Sequence, residues 1–176
     1  MTLPHKDDRL LFITRLVLTA LLGLMILVGT VAIIMAPIML FNQELMASRL
    51  AESQIHPGAV PWIAALLLCA AAIIALAFLF VRHLRRIVDS VSQGDPFVPI
   101  NADRLRHMAW LALAMQVILI PATGLLVWFD SLPHEPNVHY IDNSSFGGVI
   151  LALLLFVLAR VFRVGAAMRE ELEGTV

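Results

Sequence analysis

The chain has 176 residues, 60% of them apolar and 14% charged, with a formal net charge of -1. That composition and a strongly positive mean hydropathy exclude an ordinary soluble domain. Its single cysteine, Cys69, excludes a disulfide framework or a cysteine-based zinc cluster and reads as a small packing residue.

Nearly all the apolar residues fall in four runs of about 17 to 25, enough to cross ~30 Å of hydrocarbon at ~1.5 Å per residue. The predicted fold class is all-α, an integral membrane four-helix bundle. A single four-span domain, residues 1–176, has spans at about 16–39, 61–81, 108–129 and 146–162 and a polar joint at 82–107.

In chain order, Asp7 and Asp8 in the short polar tail favour a helix start. The following apolar stretch, Leu16 to Phe41, is far longer than the core of a signal peptide and reads as a retained span. Within span one, Gly23 and Gly29 allow a neighbouring helix to approach closely. The loop from Asn42 to Val60 holds a weakly amphipathic piece, Leu45 to Ile55, which suits either the membrane surface or an extension of span one. Pro61 and Trp62 suit the first turn and interface of span two.

Past Val81 the helical period continues. Leu84, Ile87, Val88 and Val91 fall at i, i+3, i+4 and i+7, while Arg85, Arg86, Asp89 and Gln93 take the other face. Span two therefore extends as an amphipathic helix to Gly94, which suits a C-terminal cap, and Asp95-Pro96 forces a turn. Asn101 is predicted to cap the next helix, and Leu105, Met108, Ala109 and Ala112 resume a helical stripe into span three. Pro121, inside that span, frees the carbonyl of Val117, and Gln116 is the most polar uncharged side chain in any span. Both suit a kinked helix with Gln116 bonded to a neighbour, or a ligand or ion path.

The second outer loop, Asp130 to Ser145, contains no basic residue, and its His134, Glu135 and His139 are candidate ligands for a divalent metal. Two prolines and the lack of a helical period make a plain solvated loop the simpler reading. Span four opens with Gly147 and Gly148. With Ala152, Gly148 forms a small-residue pair, and the helix should continue past Arg160 and Arg163 to Leu172.

Charge distribution sets the orientation. Of the twelve basic residues, only Arg49 lies in an outer loop. The positive-inside rule thus places both termini and the joint in the cytoplasm, with cytoplasmic helical turns extending spans two, three and four. The arginines of that face form a basic collar for anionic lipid, each adding roughly 1 kcal/mol of attraction.

Inside the spans the polar inventory is Thr19, Thr30, Cys69, Gln116 and Thr123, with no acid or base at mid-bilayer. The chain is therefore not expected to be an enzyme, to need a cofactor or to be an active transporter. The chemically richer face is the joint. Arg85, Arg86, Asp95, Phe97, Arg104 and Arg106 are candidate docking residues, because Phe97 and Val98 are apolar residues on a turn between two prolines. The alternative for them is that they fold back on the ends of spans two and three. His83 and His107 bracket the joint as potential titrating groups.

Gly94-Asp95-Pro96-Phe97, Asn101, Arg104-Leu105 and the closing Leu172-Glu173-Gly174-Thr175-Val176 give a further lead. With the span order, they make the chain similar to the small bacterial four-span membrane proteins grouped as the domain-of-unknown-function 2975 family. The resemblance implies a multi-pass protein of the bacterial inner membrane. It also implies a cytoplasmic partner, since genes of the family frequently lie beside one for a small Xre-type helix-turn-helix regulator. The expected function is a non-enzymatic regulator or sensor that engages this transcription factor, with no direct nucleic-acid contact. The other classes are a small permease or channel subunit, with a path near Gln116 and Pro121 in a homo-oligomer, and a structural subunit of a membrane complex.

Overall fold

The computed structural model describes residues 6–52, 57–92, 97–130 and 146–173. They form five α-helices and no strand: α1 (Lys6–Phe41), α2 (Gln43–Glu52), α3 (Val60–Ser92), α4 (Pro99–Asp130) and α5 (Phe146–Glu173). A 3-10 turn, Pro57–Ala59, precedes α3. Helices α1, α3, α4 and α5 are each long and apolar enough to cross a membrane, so the chain has the build of a multi-pass membrane protein.

The 33 residues of α3 make a rod about 50 Å long, well beyond the ~30 Å of bilayer hydrocarbon. Its excess is the amphipathic continuation read from the sequence. Ile87 is buried, Leu84 and Val88 are half-buried, and only Val91, in the last turn, is exposed. The stripe Leu105, Met108, Ala109 and Ala112 on α4 is buried throughout.

Neighbouring helices run antiparallel. Arg15 near the start of α1 meets Asp89 near the end of α3, Arg104 of α4 reaches the Arg86 carbonyl of α3, and Arg163 of α5 meets Asp103 of α4. The joint, the start of α1 and the end of α5 thus share one end of the molecule. The packing is a row, α1 on α3, α3 on α4 and α4 on α5. Among the described residues α1 makes no close approach to α4 or α5, so the four long helices of the expected bundle pack as an open layer. Hydropathy marks which residues face away from water; it carries no signal for whether the first and last helices meet.

In lipid, helix association depends on close backbone approach. Buried alanines recur at seven-residue spacing on the facing surfaces of α4 (Ala102, Ala109) and α5 (Ala152, Ala159, Ala166). Near the joint, Ile87, Leu105, Met108 and Leu155 form a core with Ala109 and Ala159, flanked by Phe80, Leu84, Phe156 and Phe162. Leu18, Leu22 and Val81 form a second cluster between α1 and α3. Leu84 touches both, so the densest packing lies toward the joint end.

Two local expectations are corrected. Helix α4 starts at Pro99, three residues earlier than a cap at Asn101 would place it, and the Asn101 backbone N–H donates to the Val98 carbonyl at 2.9 Å. Proline suits a first helical position because its missing N–H would be unpaired there anyway, which leaves Asn101 inside the helix, and its side chain serves elsewhere. After α1, the segment 43–52 is a separate helix rather than a plain extension of span one. The break is confined to Asn42, whose side-chain amide donates to the Ile38 carbonyl at 2.9 Å.

Candidate functional site

The joint end is held by one polar node. Asn101 is fully buried at 0% exposure, the one fully buried polar side chain among the described residues. Its amide donates to Ser90 Oγ at 2.6 Å, and its Oδ1 accepts from Arg104 Nη1 at 2.9 Å. The same Arg104 nitrogen donates to the Arg86 carbonyl at 3.0 Å. A hairpin of two helices is thereby tied beside its turn, with the buried Asn101 side chain satisfied, as burial demands.

Two ion pairs flank the node. Arg15 Nε lies 2.6 Å from Asp89 Oδ1, a close contact without the alignment of a hydrogen bond, while Arg15 Nη2 donates to Ser92 Oγ at 3.1 Å. Arg163 Nη2 meets Asp103 Oδ1 at 2.9 Å. All four side chains are about a third or more exposed, so each pair is worth at most about 1 kcal/mol. They set the order of helices at this end more than they stabilise it.

Phe97 is the docking candidate whose surroundings changed most from expectation. It is 42% exposed, and its ring packs at 5.2 Å from that of Phe162. Gly165 leaves room for it, since a Cβ there would lie 3.0 Å from Phe97 Cδ1. It folds back onto α5, the last span, a partner that the expected fold onto the ends of spans two and three did not include. Of the other candidates, Arg85 and Arg104 are half-buried, Arg86 and Arg106 are exposed, and Asp95 lies outside the described residues, as do Gly94 and the loop candidates His134, Glu135 and His139. Among the described residues no three metal-ligating side chains converge.

His83 and His107 are brought together, their rings stacked at 5.7 Å and 8°. His107 Nδ1 bonds the Asp103 carbonyl at 2.8 Å, whereas His83 Nδ1 is buried with no hydrogen-bond partner among the described residues. His83 lies two residues beyond the apolar run of span two. Burial pushes its imidazole below the ordinary 6.5, and His107, Arg86, Arg104 and Arg82 add in the same direction. The unfolded chain therefore takes up protons at this position before the folded one, and stability is expected to fall as pH drops through the region below about 6.5. Thermal unfolding in mild detergent from about pH 7.5 to about pH 5.5 should show this loss in the wild type and a smaller one in His83→Gln. An equal loss in both would place the titrating group elsewhere.

In the apolar interior, Pro121 is exposed within an unbroken α4. Gln116 is half-buried, with its carboxamide directly over Gly148 of α5, in space that any Cβ at 148 would take. The polar side chain and the small residue singled out separately in the sequence are thus one contact. The sequence did not single out Ser90, Asp103, Phe162 or Gly165 as partners. Only Ser90, facing Asn101 across a short turn in a helical hairpin, had a findable signal.

No curated protein and no solved structure matches the chain. A family model described as "Protein of unknown function (DUF2975)" matches residues 16–176. With nearly the whole chain matched and four apolar helices in the structure, the protein belongs to the DUF2975 family.

Proposed function

We propose that the protein is a non-enzymatic membrane regulator or sensor, resident in the bacterial inner membrane, whose joint faces the cytoplasm and engages a soluble helix-turn-helix regulator. The observation that carries this reading is a rigid platform beyond the apolar spans. Tied at Asn101 and Arg104, it leaves Ile100 exposed at 55%, Phe97 at 42%, and Arg106 exposed as well. Exposed apolar side chains on a cation-rich element about 12 Å past the start of span three at Met108 suit a protein surface better than lipid or free solvent. The positive-inside distribution supports the orientation, and the family resemblance supports the class of partner.

Because Phe97 and Arg104 also serve the fold, the informative variant is Ile100→Asp with Arg106→Asp. The regulator encoded next to this gene should co-purify with the intact wild type and be lost from this variant, whose melting temperature stays unchanged. Equal retention by both removes the platform as the docking surface, and no retention by the wild type removes the partner.

A further inference from the structure

Away from the hydrogen-bonded node, a groove of 540 Å³ runs between α1 and α3 at the joint end. Its upper wall carries Arg82, Arg85 and Arg86, and its floor is Leu22, Gly23 and Phe78. A second depression of 360 Å³ shares Ile26 and Phe78 with it and continues past Gly29 to Ile33 and Ala71. The α1 residues involved (Thr19, Leu22, Ile26, Thr30, Ile33) advance by three or four, and those of α3 do likewise, so the two depressions form one trough along a single face of the helix pair. From Thr19 to Ile33 it is about 21 Å long, somewhat more than the ~15 Å hydrocarbon depth of one leaflet.

The chemistry of the trough changes once along its length. At the arginine end, the one acidic lining residue, Asp89, is in contact with Arg15, and among the described residues no carboxylate pairs with Arg82, Arg85 or Arg86. Below, the hydroxyls of Thr19 and Thr30 are turned into their own helix, donating to the Arg15 and Ile26 carbonyls at 2.7 Å each. That leaves an apolar surface beneath those three guanidinium groups.

We infer that this trough is a binding site for one anionic glycerophospholipid of the joint-side leaflet, its phosphodiester held by Arg82, Arg85 and Arg86 and one acyl chain laid along α1 and α3 from Gly23 to Ile33. A zwitterionic lipid is disfavoured, because its ammonium group would stand among the arginines. The site differs from a general basic collar in having a shape. Gly23 opens onto it, with nothing within 4 Å of where a Cβ would stand, so a larger side chain there fills the trough without touching a charge.

Native mass spectrometry of the full chain in mild detergent, titrated with phosphatidylglycerol, phosphatidylcholine or glycerol phosphate, tests this. Phosphatidylglycerol should be retained as a single adduct at least about tenfold more strongly than phosphatidylcholine. Arg82→Gln with Arg85→Gln should weaken it about 25-fold, about fivefold for each arginine near an anionic group. Gly23→Leu should abolish the adduct with all charges present, and Arg106→Gln with Arg160→Gln, on other faces, should leave it unchanged. Retention that survives Gly23→Leu, or that falls equally in the Arg106 and Arg160 variant, would reduce the site to diffuse attraction. Equal binding of glycerol phosphate would make it a phosphate site with no role for the acyl chain. Melting temperatures of the variants, expected to match the wild type, separate loss of the site from loss of the fold.

Discussion

Asn101→Ala should lower the stability of the detergent-solubilised protein by about 3 kcal/mol, the largest effect expected of any single substitution at the joint. The side chain is fully buried. Its loss removes the bond to Ser90, worth about 1 kcal/mol, and an acceptor for the Arg104 guanidinium, worth about 1.5–3 kcal/mol because that donor is charged. Ser90→Ala alone should cost about 1 kcal/mol, and the double variant less than the sum of the singles, since both act on one bond. Thermal or denaturant unfolding of the three variants measures this. Strict additivity would mean that the two residues act independently and that the node is not a unit.

Gly148→Ala should cost about 1–3 kcal/mol, the range for forcing extra atoms into a packed interior. In an ordinary helix the change would stabilise by up to about 1 kcal/mol, because glycine is the poorer helix former; here its Cβ overlaps the Gln116 side chain. Much of the loss should be recovered in Gly148→Ala with Gln116→Ala, where the obstructing carboxamide is gone. A Gly148→Ala protein as stable as the wild type would show that Gln116 is free to move aside. The same contact bears on a permease reading. A glutamine packed over a glycine between α4 and α5 is placed to join two helices, and a role in solute flux would require that contact to open.

The sequence carried the spans and the amphipathic continuation of α3 because both rest on periodicity. Leu84, Ile87, Val88, Leu105, Met108, Ala109 and Ala112 face inward as their spacing requires. Where the outcome turned on a shift of a few residues, it did not. Starting α4 at Pro99 instead of after Asn101 converts a helix cap into a cross-joint hydrogen bond, and both positions satisfy the same local preferences for proline and asparagine. Contacts between distant elements, such as Arg163 with Asp103 or Phe97 with Phe162, have no local signature. The two glycines of α1 illustrate the limit. Gly29 does face a close neighbour, with Ile74 Cγ2 at 3.3 Å from a Cβ position, whereas Gly23 opens onto the trough.

The proposed function requires the Asn101–Arg104 platform and both chain ends to lie on the cytoplasmic side, where a soluble regulator can reach Ile100 and Arg106. Cysteine labelling bears on that placement without intermediate steps. In a Cys69→Ala background, Ser48→Cys and Arg106→Cys place a single thiol at exposed positions near opposite ends of the long helices. A membrane-impermeant maleimide applied to intact cells should label the Ser48→Cys protein and should reach the Arg106→Cys protein only after the inner membrane is permeabilised. Labelling of Arg106→Cys in intact cells, with Ser48→Cys protected, would overturn the orientation and with it the proposed cytoplasmic partner.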